Sequence, residues 1–164
     1  MKLRTYNEDD AKTIIKWINN ERELKLWSAD RYGTFPITAT DINNNYHECI
    51  KTSNFYPMTL EDDGEIIGHL ILRNPDNKLD TIRLGFIIVD PSKRGMGYGK
   101  KLINEAISYA KNELNAKEIN LGVFANNKNA YNCYKHAGFV DVNIEKNAFI
   151  YHDESWDCIE MVLK

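Results

Sequence analysis

A chain of 164 residues, 43% of them hydrophobic, can bury one sizeable core and is too short for two ordinary domains. Its formal net charge of −3 excludes a general nucleic-acid binder, whose phosphate contacts call for a broad basic face, and leaves a small anionic ligand admissible. No apolar run approaches the length of a membrane span, and Met1-Lys-Leu-Arg-Thr-Tyr6 leads into polar sequence, so a cytoplasmic protein with no nucleic-acid or membrane partner is expected.

In chain order, Lys2 to Tyr6 reads as a short strand. Asn7 can cap a helix whose first turn carries Glu8, Asp9 and Asp10 and whose apolar stripe is Ala11, Ile14, Ile15 and Ile18. Glu21 to Thr40 is irregular and aromatic, with Trp27, Tyr32 and Phe35, and a second helix is predicted from Asp41, with Ile42, Tyr46, Cys49 and Ile50 in register. Phe55 to Glu61 and Glu65 to Arg73 read as strands joined at Asp62-Asp-Gly64, a strong hairpin signal. Thr81 to Val89 follows the Asn74-Pro-Asp-Asn77 turn, and its almost continuous apolarity predicts burial on both faces.

Leu102, Ile103, Ala106, Ile107 and Ala110 then recur at helical spacing, and Glu118 to Phe124 is another strand. A strand, a crossover helix and a strand predict a parallel pair. Asn127 to Ala137 is a short helix closed by Gly138, and Phe139 to Phe149 and Trp156 to Leu163 are the last strands. The sum is an α/β (α+β) domain, a mixed sheet flanked by helices.

The three cysteines, Cys49, Cys133 and Cys158, are far apart and lack a Cys-x-x-Cys pair, which suggests buried thiols and neither disulfides nor zinc. The four histidines show no metal-ligand spacing, and His152-Asp-Glu154 reads as a tight turn, so no metal is expected.

The chemistry concentrates in Val89-Asp-Pro-Ser-Lys-Arg-Gly-Met-Gly-Tyr-Gly-Lys-Lys101, where an apolar strand breaks into a glycine-rich loop that opens a helix. Glycines let the backbone approach an anion, and the first amides of a helix point free N–H groups at it. Lys93, Arg94, Lys100 and Lys101 add positive charge against the acidic sign of the whole chain. The spacing fails a P-loop, since Lys100 stands five positions after Gly95 where that motif needs a second glycine, although Lys101 falls where it has its Lys. A Gly-x-Gly-x-x-Gly fingerprint fails too, because position 100 is Lys.

What remains, Arg94-x-x-Gly97-x-Gly99, resembles the acetyl-CoA loop of the GNAT superfamily of acetyl-CoA-dependent N-acetyltransferases. Asn127-Lys-Asn-Ala130-Tyr-Asn-Cys-Tyr134-Lys-His-Ala-Gly138-Phe139 resembles that family's second signature, in family order and at family distance. The look is nearest to bacterial members related to ribosomal-protein alanine acetyltransferases. The resemblance implies a single N-acetyltransferase domain over residues 1–164, with a mostly antiparallel sheet of about six or seven strands and one splayed parallel pair. It also implies acetyl-CoA as co-substrate and a primary amine, of a small molecule or a peptide, as acceptor. A homodimer is common among its members.

Carried over residue by residue, the resemblance assigns acetyl-CoA binding to the backbone of Ile87, Ile88 and Val89, to the loop Arg94, Gly95, Met96, Gly97, Tyr98, Gly99 and Lys100, to Asn127 and to Tyr134. Tyr134 matches the family's general acid, and a backbone N–H of Val89 or a near neighbour matches its oxyanion donor. A phenol, pKa ~10, can reprotonate a nearby thiolate whose pKa is ~8.5. Two departures concern the base: Gly122 and Arg83 stand where relatives carry glutamates. A low-pKa amine would ease that loss, since an α-amine with pKa ~8 is roughly a tenth neutral at pH 7; Glu160 through water is another route. Glu21, Glu23, Trp27, Asp30, Arg31, Tyr32 and Phe35 would border the acceptor, a mixture that suits a cationic, partly apolar amine. Binding of acetyl-CoA without turnover is the competing function.

Overall fold

The computed structural model describes residues 1–164. Its seven-stranded sheet has the order β1-β2-β3-β4-β5-β7-β6. The strands are β1 (Lys2–Thr5), β2 (Phe55–Asp62), β3 (Glu65–Arg73), β4 (Thr81–Val89), β5 (Glu118–Phe124), β6 (Phe139–Tyr151) and β7 (Glu154–Leu163). All neighbours are antiparallel except β4 and β5, which run parallel as the crossover argument requires. The β2–β3 turn places Asp63 at φ +48° and Gly64 at φ +81°, the pair of left-handed residues that a two-residue hairpin favours.

Five α-helices flank the sheet: α1 (Ala11–Ile14), α2 (Glu21–Ser28), α3 (Ala39–Thr52), α4 (Tyr98–Asn112) and α5 (Lys128–His136). Three differences from the sequence reading stand out. The first helix is a single α-turn between two 3₁₀ turns, Glu8–Asp10 and Ile15–Trp17. Glu21–Ser28, expected to be irregular, is helical: the Asn20 side chain accepts the Glu23 amide (2.9 Å), and Leu24 and Ser28 turn inward. The second long helix starts two residues early, because Thr38 and Asp41 form a reciprocal capping box that makes Asp41 the third residue.

Apolar side chains cover both faces of the sheet. On one, Leu60, Leu70, Leu72 and Leu84 pack against Leu102, Ile103, Ala106 and Ala110 of α4. Helix α4 comes so near β3 that a Cβ on Gly68 would lie 3.1 Å from Leu102 and 3.2 Å from the Ile88 carbonyl. On the other face, Ile71 and Ile88 meet Ala11, Ile14, Leu24, Ile42 and Tyr46. No helix is long and apolar enough to cross a membrane.

Beneath α3 lies a fully buried His69, its Nε2 2.7 Å from the Tyr46 hydroxyl. Burial pushes its pKa down to about 3. The unfolded chain, with an ordinary value of ~6.5, therefore takes up a proton that the fold refuses, and stability falls as pH drops below that value. The slope should approach ~1.4 kcal/mol per pH unit. Chemical denaturation from pH 7 to 4.5 should show this loss and a flatter profile in His69→Gln. An unchanged slope in the variant would assign the loss elsewhere.

Candidate active site

Strand β4 pairs with β5 only from Thr81 to Leu84. From Gly85 onward the two separate, β5 continuing along β7 while β4 bulges at Phe86, whose φ is +48°. A bulky residue in that conformation is strained, and such strain persists where the surroundings hold it in place. The separation leaves the second edge of residues 85–89 without a strand partner. It also corrects the expectation of full burial along β4: Gly85, Phe86, Ile87 and Val89 are half-buried, because they form the wall of a cleft.

That cleft is a groove of about 980 Å³. Ile87, Ile88, Val89, Arg94, Gly95, Gly97, Gly99, Lys100, Asn127 and Tyr134 all line it; the side chains of Met96 and Tyr98 do not. Gly95 and Gly97 have φ of +77° and +83°, and Gly97 caps α4 without a side chain. A Cβ would find open space at either glycine, so what they supply is the left-handed backbone. The first intrahelical bond of α4 runs from Lys101 to Gly97, leaving the amides of residues 98–100 without helical acceptors.

The four basic residues of the loop divide into two kinds. Lys93 is paired with Glu65 at 2.9 Å, and Lys101 lies over the Tyr98 ring, 5.0 Å from its centre. Arg94 and Lys100 have no acidic partner and face the groove. Free amides, two uncommitted cations and an open β4 edge fit the diphosphate and the amide-bearing arm of coenzyme A.

Helix α5 carries two tyrosines in different settings. Tyr131 donates to Asp141 (2.9 Å), whereas Tyr134, 6% exposed, lines the groove and makes no hydrogen bond to the protein. Burial raises its pKa above the usual phenol range, so the hydroxyl stays protonated. The same desolvation would raise the basicity of a thiolate beside it, which keeps proton donation feasible. Asn127 lines the groove and also caps α5, its Oδ1 accepting from the Ala130 amide at 3.4 Å.

The two missing glutamates are a single structural feature. Arg83 donates to both oxygens of Glu160 (2.7 and 3.0 Å), and a Cβ on Gly122 would lie 2.6 Å from its guanidinium. The Cys158 sulfur and a Glu160 oxygen would each lie 3.1 Å from that Cβ, so a side chain at 122 and the Arg83–Glu160 pair compete for one space. With each oxygen accepting from Arg83, Glu160 is clamped and poorly placed to take a proton from an amine.

Cys133 and Cys158 line the groove and, like Cys49, are half-buried, not fully buried as expected. Burial, then the charge of Glu160, pushes the Cys158 thiol up to about 11; burial raises Cys133 as well. Thiols held in that form are poor nucleophiles. Of the expected acceptor residues, Glu23, Trp27, Asp30 and Arg31 reach the groove. Tyr32 is buried, Glu21 turns to His152 (3.3 Å) and Phe35 lies outside. Arg73, read from the sequence only as the end of a strand, lines the groove too.

The model of the acetyltransferase (GNAT) family matches residues 16–139. The chain belongs to the GNAT family. It is similar to the spermidine N(1)-acetyltransferase of Vibrio cholerae, 26% identical over 139 residues, 85% of this chain and 78% of that one. The structure of the Vibrio spermidine N-acetyltransferase in complex with CoA and spermine has the same fold, with TM-score 0.83 at 24% identity over 99% of this chain and 94% of that one. A putative ribosomal protein bS18-alanine N-acetyltransferase of Bacillus subtilis is 28% identical over 116 residues, 71% of this chain and 73% of the relative. A Schizosaccharomyces pombe protein of family UPF0039 is 34% identical over 83 residues, 44% of this chain and 54% of its own length. The GNAT chain described here is an acetyltransferase, with the mixed sheet and the splayed parallel pair that the resemblance implied.

Proposed function

We propose that residues 1–164 form a single N-acetyltransferase domain that moves the acetyl group of acetyl-CoA to a primary amine by direct attack in a ternary complex. The observation that carries this reading is the splay: an unpaired β4 edge leads from the free α4 amides to the unbonded hydroxyl of Tyr134. The thioester supplies an activated acyl carbon. Residues 98–100 with Arg94 and Lys100 hold the diphosphate, residues 87–89 align the pantetheine arm, and a β4 amide near the bulge stabilises the oxyanion. Tyr134 donates a proton to the departing sulfur. The protonated state of Cys158 and Cys133 argues against an acyl-cysteine intermediate.

Arg83 clamps Glu160 and Asn19 engages Glu23, which leaves the exposed Asp30 as the one unengaged acid lining the groove and favours an acceptor amine already partly neutral at working pH. A homodimer through β6 belongs to the same reading, since this 13-residue edge strand exposes Val142, Ile144 and Ile150. Initial rates of thiol release across an amine panel test the transfer. Intersecting double-reciprocal lines are expected; parallel lines would contradict direct attack. Acetyl-CoA binding with no release on any amine would make the protein a sensor.

A further inference from the structure

Arg73 and Arg83 stand directly opposite each other on β3 and β4, and both line the groove. Like charges across a strand pair are unfavourable, so the pair needs a reason. Arg83 has one in Glu160 and Asn120. The Arg73 side chain, half-buried, makes no hydrogen bond and no ion pair with the protein. Arg31, Arg73 and Arg83 all line this one groove, and burial, then the charges of Arg83 and Arg31, lowers the pKa of Arg73.

Arg31 has no acidic partner either: it reaches the Cys49 sulfur (3.2 Å) and lies 5.2 Å from the centre of the Phe86 ring. Trp27 packs on that ring from 5.3 Å, and its buried indole N–H has no acceptor. The groove's acids do not balance this group. Glu23 accepts from the backbone and side chain of Asn19 (2.8 and 3.3 Å), and only Asp30 is unengaged. Arg73 lies two residues, about 7 Å, along β3 from Ile71, the partner of Gly85, and so stands one strand over and two residues back from the point where β4 leaves β5.

We infer that this end of the groove binds an anionic oxygen group of the acceptor, a carboxylate held by Arg73 and Arg31, so that the amine acetylated is that of an amino acid or a similar carboxylate-bearing amine. This rests on the transfer reading above and replaces the cationic acceptor suggested by Glu21, Glu23 and Asp30. Guanidiniums match carboxylates in a planar, two-bond geometry and repel polyamines.

The test is a panel in which each amino acid is paired with its decarboxylated amine, its methyl ester and its aminophosphonate, with spermidine included. The amino acid should exceed amine and ester in kcat/KM by ~30-fold or more, and Arg73→Met should bring that ratio near one, with Arg73→Lys intermediate. Arg73→Met should melt no lower than the parent, since the guanidinium has no partner to lose. Equal rates for amine and amino acid, a preference for spermidine, or a variant that slows all acceptors alike would overturn the inference while leaving acetyl transfer intact. A winning aminophosphonate would overturn the carboxylate. If no amine is acetylated, calorimetric titration of the CoA-saturated protein with amino acids still decides: binding weakened by Arg73→Met supports the site, and binding equal in both proteins, or absent, removes it.

Discussion

Replacing Tyr134 by Phe should lower kcat by ~100-fold or more while acetyl-CoA binding changes by less than ~3-fold. The variant keeps the ring, which packs edge-on against Phe139 at 6.4 Å, and removes only the hydroxyl. That hydroxyl bonds to nothing in the protein, so no folding contact is lost with it. A group needed by the leaving sulfur alone affects the transition state more than the ground state. Thiol-release kinetics with calorimetric titration of acetyl-CoA separate the two effects. A variant within ~3-fold of the parent in kcat would remove Tyr134 from the chemistry and leave it a core aromatic.

Gly97→Val should act in the opposite sense, raising the acetyl-CoA KM by ~30- to 100-fold with much less change in kcat at saturation. At φ +83° a β-branched residue costs roughly 1–3 kcal/mol, so the backbone would rotate toward an allowed conformation. Rotation turns the α4 amides away from the diphosphate, and charge-assisted hydrogen bonds are worth about 1.5–3 kcal/mol each. No atom stands within 4 Å of the position a Cβ would take, so steric collision is not the cause. Gly97→Ala should fall between parent and valine. Equal KM values for all three proteins would mean that the loop does not hold the diphosphate.

The parts of this structure that were legible in the sequence are those set by local pattern. The β2–β3 hairpin, the bounds of β3, β4 and β5, and the glycine after α5 follow from alternation, turn residues and a C-terminal cap. Helix α2 was missed because eight residues with a largely polar face carry little periodic signal; its Asn20 cap three residues before Glu23 was the readable clue. The loop's charge was legible but not its division, since the pairing of Lys93 with Glu65 spans two strands.

What local pattern cannot show is register. Arg83, Gly122 and Glu160 are far apart in the chain, and only the β4–β5–β7 pairing sets the glycine against the arginine. Arg73 stayed hidden for the same reason. It is an ordinary strand-terminal arginine until the β3–β4 register sets it against Arg83, and until the splay opens a groove beside both.

The central claim is that coenzyme A lies in the cleft where β4 leaves β5. A crystal structure of the protein with acetyl-CoA measures this directly. The diphosphate should accept hydrogen bonds from the amides at the start of α4, the pantetheine should run along residues 87–89, and the sulfur should lie within hydrogen-bonding reach of the Tyr134 hydroxyl. Coenzyme A bound elsewhere, or seated with its sulfur remote from that hydroxyl, would contradict it.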